Sequence, residues 1–246
     1  MQPIRIDINA DVGEGINNES QLMPYISSCN IACGGHAGDL DTMRTVVKMA
    51  KTHRIKIGAH PSFPDKDNFG RQPMDISYAA LYTSLKHQID GLMKVLTEEQ
   101  VGLHHVKPHG ALYNMAAIDS NIATVIVEVM KSYARSISLY VPYGSVIEKI
   151  AIENNIPILY EAFADRNYND DGTLVSRQNS HALITDSEVM FEHVYRIITS
   201  QKVKTVNGLE IDLKADTFCV HGDNPKAVDL IKKLKKRLED NHIQIY

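Results

Sequence analysis

No stretch of this 246-residue chain approaches the ~18 consecutive apolar residues that a membrane span needs. The N-terminus, Met1-Gln-Pro-Ile-Arg-Ile-Asp7, has no apolar h-region, so no secretory signal is expected. Cysteine is scarce: Cys29, Cys33 and Cys219 are an odd number without zinc-finger spacing. That points to a reduced intracellular protein, placed in the cytoplasm, rather than a disulfide scaffold. Positive charge is not in excess, since 26 Lys and Arg against 30 Asp and Glu give a net charge of -4, which argues against a nucleic-acid partner. The basic run Lys232 to Arg237 reads as the solvated face of the last helix. Catalytic signatures are missing too. Without G-x-x-x-x-G-K-[ST] there is no P-loop, without G-x-G-x-x-G no dinucleotide fingerprint, and without G-x-S-x-G no marked serine nucleophile. A fixed-period repeat and a Pro/Gly/Ser linker are also lacking, so residues 1–246 are expected to form a single domain.

What is present is a repeated pattern of strand, polar turn and helix. Residues 4 to 11 alternate strictly, with Ile4, Ile6 and Ile8 on one face and Arg5, Asp7, Asn9 and Asp11 on the other. A buried parallel strand ordinarily reads as a continuous apolar run. Polar side chains pointing into a barrel would resolve the conflict. Further strands are expected at 27–32, 55–59, 103–107, 137–141, 158–161 and 217–220, with apolar stripes such as Leu81, Leu85, Ile89, Leu92 and Leu96 marking the helices between them. Leu40, Met43, Val46, Val47 and Ala50 mark another helix, and residues 61–76 a long loop. Ser145 with Glu148 forms a capping box, and Asn224-Pro225 an N-cap and N1 pair. Two alternating runs across Asn207-Gly208 predict a hairpin inserted near 202–213.

Ionisable residues recur where these strands end, which is how a barrel assembles a site from many strands, whereas a doubly wound sheet concentrates it at one switch point. We therefore expect an α/β fold, an irregular (β/α)7 TIM-like barrel. The strand-end set is Asp11 and Glu14, His36 and Asp39, His60, Lys107 and His109, Glu161 with Asp165 and Arg166, and His221 with Asp223. His53, His87, His193 and His242 lie on helices or near the terminus and read as structural. The glycines at 34, 35 and 38 suit positive φ or close backbone approach, and Asp39 stands at a helix start. A carboxylate, imidazole and ammonium site suits general acid/base hydrolysis with Lys107 holding negative charge. It equally suits a divalent metal, whose ligands the spacing leaves unknown.

Seven blocks in order carry a resemblance: Asp7-Ile-Asn-Ala-Asp11-Val-Gly-Glu14, Asn30 to Asp39, Gly58-Ala-His60-Pro-Ser, Phe69-Gly-Arg71, Val106-Lys107-Pro-His109-Gly-Ala-Leu-Tyr113-Asn114, Glu161-Ala-Phe-Ala-Asp165-Arg166 and Cys219-Val-His221-Gly-Asp223. Together they resemble the LamB/YcsF family, the A component of 5-oxoprolinases. One departure is Gly35, where the family pattern has Phe. The resemblance implies a barrel of the glycoside hydrolase/deacetylase type and an ATP-hydrolysing 5-oxoprolinase, a lactam hydrolase opening 5-oxo-L-proline to L-glutamate with partner subunits B and C. ATP would be used by the complex, which suits a chain without a P-loop. On this reading Asp11, Glu14, His36, Lys107, His109 and His221 are the catalytic candidates. Asp39, His60, Arg71, Asn114, Glu161, Asp165, Arg166 and Asp223 are the substrate-binding candidates. Asp11 or Glu14 would act as base, Lys107 with His109 would hold negative charge, His36 or His221 would protonate the ring nitrogen, and Arg166 would pair with the substrate carboxylate. The alternatives are a stand-alone metal-dependent deacetylase or amidase and a non-catalytic substrate-binding subunit; a homo-oligomer stays open.

Overall fold

The computed structural model describes residues 4–134, 136–222 and 226–246. In chain order the elements are β1 (Ile4–Val12), α1 (Glu19–Leu22), β2 (Ser28–Ala32), α2 (Leu40–His53), β3 (Lys56–His60), α3 (Tyr78–Glu98), β4 (His105–Val106), α4 (Gly110–Ala116), α5 (Ser120–Met130), β5 (Ser138–Val141), α6 (Val146–Glu153), β6 (Ile158–Phe163), α7 (Ser187–Ser200), β7 (Lys202–Lys204), β8 (Glu210–Asp212), β9 (Thr217–Val220), α8 (Ala227–Asp240) and β10 (Ile243–Ile245). A 3-10 turn, Met23–Tyr25, follows α1. Strands β1-β2-β3-β4-β5-β6-β9 are parallel neighbours, and β9 pairs back onto β1. The sheet is thus a closed seven-stranded (β/α) barrel, as the recurring strand-to-helix pattern predicts.

The two-residue period of β1 sorts its side chains between two environments. Ile6 and Ile8 pack into the apolar layer under the helices, where they are joined by the α3 stripe of Leu81, Leu85, Ile89, Leu92 and Leu96. Each such side chain contributes about 1.5–3 kcal/mol by leaving water, so the helical jacket is the main source of cohesion. Asp7, Asn9 and Asp11 are buried on the other parity. They are tolerated there because each is hydrogen-bonded. Asp7 accepts from Ser27 (3.0 Å), Ser28 (2.5 Å) and Thr217 (2.6 Å). One step up, Asn9 donates to Glu161 (3.0 Å) and Thr217 (2.8 Å), and Asn30 bridges Asn9 and Asp11 at 2.7 Å each. The barrel is therefore lined by a polar ladder that rises along β1 toward the carboxyl ends of the strands.

Local signals account for most element ends. Asp39 caps α2 by accepting from the Thr42 amide at 2.8 Å, and Ser77, Asp119 and Asp186 cap α3, α5 and α7 in the same way. Ser145 caps α6, but Glu148 reaches the Gly144 amide rather than that of Ser145, so the capping box closes one residue early. The hairpin is present as β7 and β8, antiparallel and separate from the barrel. Its turn is a Thr205-to-Gly208 turn in which only Gly208 takes positive φ (85°), where a two-residue Asn-Gly turn would need it at both. Several expectations need correction. The strand expected over 103–107 is only the two residues His105–Val106 long, because the chain turns at Pro108 to start α4, a helix the sequence reading missed. Leu40 is exposed rather than part of the α2 stripe, and β10 adds an unforeseen parallel strand outside the barrel beside Ile4–Ile6. Asp223 and the Asn224-Pro225 cap lie outside the described residues.

Candidate active site

Six strands deliver ionisable groups to one end of the barrel. From β1 come Asp11 and, past the turn, Glu14; from β2 the following His36; from β3 His60; after β4 Lys107 and His109; from β6 Glu161 and Asp165; after β9 His221. Gly58 on β3 makes room for this arrangement, since a Cβ there would stand 2.0 Å from His105 Nε2. The His105 ring fills that space, stacked on Tyr140 at 3.9 Å and donating to Asn30 at 2.6 Å.

At the centre is Lys107, 2% exposed. Its ammonium donates to Asp11 Oδ1 (3.0 Å), Cys219 Sγ (3.0 Å) and, at longer range, Asn9 Oδ1 (3.5 Å), and it is ion-paired with Glu161 Oε1 at 2.9 Å. Burial would lower its pKa, but the Asp11 and Glu161 carboxylates hold it well above the usual lysine value. Asp11 is pushed up by burial, yet His60 and Lys107 outweigh this and keep it well below the ordinary carboxylate range. Its second oxygen lies 3.3 Å from His60 Nε2. An anionic group could reach Lys107 by displacing the Cys219 thiol, a weak acceptor.

Asp165 and His221 form a separate dyad on the same floor. His221 gives Nδ1–H to Asp165 at 3.0 Å and its backbone amide to the same carboxylate at 3.0 Å, while its ring stacks on Phe163. The bond fixes the tautomer with the lone pair on Nε2, as a carboxylate does for a catalytic histidine. A ring nitrogen of His221, an Asp11 oxygen and Cys219 Sγ all lie within 4.8 Å of one another, which joins the dyad to the Lys107 cluster.

The third grouping is aromatic and ionic. His36 Nε2 donates to Glu14 Oε1 at 2.9 Å and its ring lies flat on His109 at 3.7 Å. His60 Nδ1 donates to the Lys107 carbonyl at 2.7 Å, and His109 Nε2 to the Phe69 carbonyl at 3.0 Å. Burial, helped by the neighbouring His60 and His36, drives His109 well below the usual histidine pKa, and burial likewise lowers His36. Gly34 and Gly38 take positive φ, but Gly35 does not; a Cβ on Gly35 would stand 2.4 Å from Gln88 Oε1 and Ser62 Oγ. Gln88 and Ser62 thus fill the space that a side chain at position 35 would enter.

Other expected residues sit apart. Asp39 is exposed and its carboxylate is spent on the α2 cap, so it is not among the buried groups that His36 joins. Asn114 is on the exposed face of α4. Arg71 is exposed at the mouth with its guanidinium 4.8 Å from the Phe69 ring centre, and Asp223 lies outside the described residues. Arg166 is buried and donates to the Val175 carbonyl at 2.5 Å. The sequence reading missed Asn9 and Asn30 as the rungs under Asp11, although Asn9 shares the parity of Asp7 and Asp11. It also missed Tyr113, which α4 turns inward. Among the described residues, four buried polar atoms of this site have no hydrogen-bond partner: His36 Nδ1, Tyr113 Oη, Glu161 Oε2 and Arg166 Nε.

Known proteins share this sequence and this barrel. The model of the LamB/YcsF family matches residues 6–246. The chain belongs to the LamB/YcsF family. It is 42% identical to the A component of 5-oxoprolinase from Campylobacter jejuni subsp. doylei, over 98% of this chain and 96% of that one. It is 39% identical to the protein of the same name from Haemophilus influenzae, over 98% of both. The crystal structure of the lactam utilization protein from Thermus thermophilus superposes with a TM-score of 0.91 at 34% identity, covering 98% of this chain and 99% of that one. A family 4 carbohydrate esterase from Streptomyces lividans shares the fold, with a TM-score of 0.52 at 7% identity. That likeness is one of fold alone.

Proposed function

We propose that this chain is the ring-opening component of an ATP-dependent 5-oxoprolinase, hydrolysing 5-oxo-L-proline to L-glutamate with partner subunits B and C. The observation that carries this reading is that Tyr113 Oη, Glu161 Oε2 and Arg166 Nε are buried without hydrogen-bond partners, with Glu161 ion-paired to Lys107 at 2.9 Å and close enough to Tyr113 to act on its phenol. Buried polar groups are ordinarily satisfied, so a set left open invites a ligand. A lactam is a cis amide that presents N–H and C=O along one edge. Glu161 accepts the N–H, Tyr113 donates to the carbonyl, and Arg166 Nε meets the carboxylate on the neighbouring carbon. Tyr113 is suited to donate, because burial and the Glu161 charge hold its phenol well above the usual value.

An unstrained five-membered lactam is a poor electrophile, and phosphate on its carbonyl oxygen makes it a good one. This sequence carries no P-loop, so the partners supply the phosphate. Water then adds to the activated carbon. His221, oriented by Asp165, takes the proton on Nε2 and returns it to the ring nitrogen as the C–N bond breaks, and a second water then releases inorganic phosphate from the resulting acyl phosphate to give L-glutamate. Lys107 stabilises the negative charge of the phosphoryl oxygens, taking them in place of the Cys219 thiol. The test is ATP-dependent glutamate formation from 5-oxoproline by subunits B and C, with and without this chain and with Asp165→Asn. We expect no turnover without the chain and a loss of about 10²–10⁴-fold with the variant. Full turnover by B and C alone would overturn the assignment.

A further inference from the structure

Glu14, His36, His60 and His109 are not used in the ring opening described above, yet their ligand-capable atoms all lie within 4.8 Å of one another. Their hydrogen bonds decide where the ring protons are. A carbonyl only accepts, so His60 must carry its hydrogen on Nδ1 to meet the Lys107 carbonyl at 2.7 Å. By the same rule His109 carries its hydrogen on Nε2, facing the Phe69 carbonyl at 3.0 Å. In the neutral rings the remaining nitrogens, His60 Nε2 and His109 Nδ1, are therefore both bare lone pairs. They face each other at 2.9 Å, with the ring planes 84° apart. Two acceptors at that distance repel unless a cation lies between them.

Glu14 Oε1 completes the group, 3.4 Å from His109 Nδ1 and 3.9 Å from His60 Nε2. A tetrahedral ion with ligand bonds of about 2.0–2.1 Å holds its donors about 3.3 Å apart. The three separations bracket that value. Metal-bound histidines are characteristically oriented through their other N–H by a carbonyl or carboxylate, and ligating carboxylates are themselves hydrogen-bonded. Both conditions hold here, since His36 Nε2 donates to Glu14 at 2.9 Å. Phe69 presents its carbonyl to His109 from positive φ (55°), a strained conformation for a bulky residue. His36 itself lies parallel to His109 (3°), out of line with an ion in the plane of that ring, so its place is behind Glu14.

Charge points the same way. Asp11, Glu14 and Glu161 bring three negative charges against the one of Lys107, a balance of 1 - 3 = -2 with neutral imidazoles. A divalent ion cancels it. We propose that Glu14, His60 and His109 bind a divalent transition-metal ion of the zinc class, with Asp11 Oδ2 or solvent in the fourth position.

The test uses the isolated full-length chain, stripped with chelator and titrated calorimetrically with Zn²⁺ and Co²⁺, with the visible spectrum of the Co²⁺ form reporting its coordination. We expect one ion per chain and a tetrahedral cobalt spectrum. His36→Gln, acting through Glu14, should weaken binding about 10–100-fold. His60→Gln and His109→Gln should weaken it more, and His221→Gln, on the other side of Asp11, should leave it in place. Circular dichroism in chelator checks that each variant folds; Glu14→Gln serves where a histidine variant does not. Failure of the folded wild-type chain to take up either ion would overturn the proposal, as would binding lost in His221→Gln and kept in His109→Gln. No substrate or partner enters the measurement, so its outcome is separate from that of the turnover assay.

Discussion

Replacing Lys107 by methionine isolates what its charge does, because the two side chains have similar length and the buried stem stays filled. Two carboxylates, Asp11 at 3.0 Å and Glu161 at 2.9 Å, lose their shared cation. Removing one partner of a buried ion pair costs about 3–5 kcal/mol. An independent ceiling comes from protonation: a carboxylate with the ordinary value of 3.8 can be neutralised at pH 7 for about 1.36 × 3.2, or ~4 kcal/mol. Both routes give a loss near 4 kcal/mol, read by urea denaturation in the presence of chelator. The sign with pH follows. In the wild type the depressed Asp11 contributes stability that is present above about 3.8 and is lost as pH falls through its lower folded value. Without Lys107 a buried carboxylate binds its proton more readily in the folded state than in the unfolded one, so the variant gains stability as pH falls from 7 toward 5. The gap between wild type and variant should narrow over that range, and Lys107→Met/Glu161→Gln should recover part of it at pH 7. A loss below 1 kcal/mol at pH 7, or a gap that widens on acidification, would refute the charge-balance reasoning.

Three other measurements probe different parts of the fold. His193 donates to the Phe163 carbonyl at 3.1 Å, and burial lowers its pKa to about 4. The unfolded chain binds this proton first, so stability is lost as pH falls from about 6.5 to about 4. Allowing for partial exposure of the ring this amounts to about 1–2 kcal/mol, and His193→Gln should flatten that part of the melting-temperature profile. Gly58→Ala drives a Cβ into a His105 ring that Tyr140 and Asn30 hold in place, and should cost about 1–3 kcal/mol or more in chemical denaturation. Gly91→Ala, in the middle of α3 with no atom within 4 Å of the added carbon, should instead stabilise by up to about 1 kcal/mol.

The barrel was legible because β1 breaks a rule. Its Asp7, Asn9 and Asp11 could not be buried between helices and sheet, so their strict parity pointed to a polar interior. Strand-end chemistry was legible for the same reason: His60, Lys107, His109, Glu161 and His221 follow apolar strands directly. Asp39 carried two signals at once, helix cap and site carboxylate, and the cap is the one realised. Tyr113 was hidden because Pro108 and Gly110 read as loop, whereas Gly110 opens α4 and turns the phenol inward. The bare nitrogens of His60 and His109 were not legible at all, since they depend on which backbone carbonyls the rings meet across 40 or more residues of chain.

Gly35 shows how a position without a side chain is filled by its surroundings. Its missing side chain leaves space that Gln88 takes from α3, accepting from the Ser62 amide at 3.0 Å and donating to the Ser62 carbonyl at 2.9 Å. Ser62 follows His60 by two residues, so this amide clamp fixes the backbone that sets the His60 ring. Glycine at 35 and glutamine at 88 should therefore be energetically coupled. Gly35→Ala alone forces Gln88 aside and strands the Ser62 amide, a cost of about 1–3 kcal/mol. Once Gln88→Ala has removed the clamp, the methyl group meets only the Ser62 hydroxyl, and the second substitution should cost less. A double-mutant cycle by urea denaturation should give a coupling of about 1 kcal/mol or more. Strict additivity would mean that the clamp does not depend on the glycine, and that the two positions are independent.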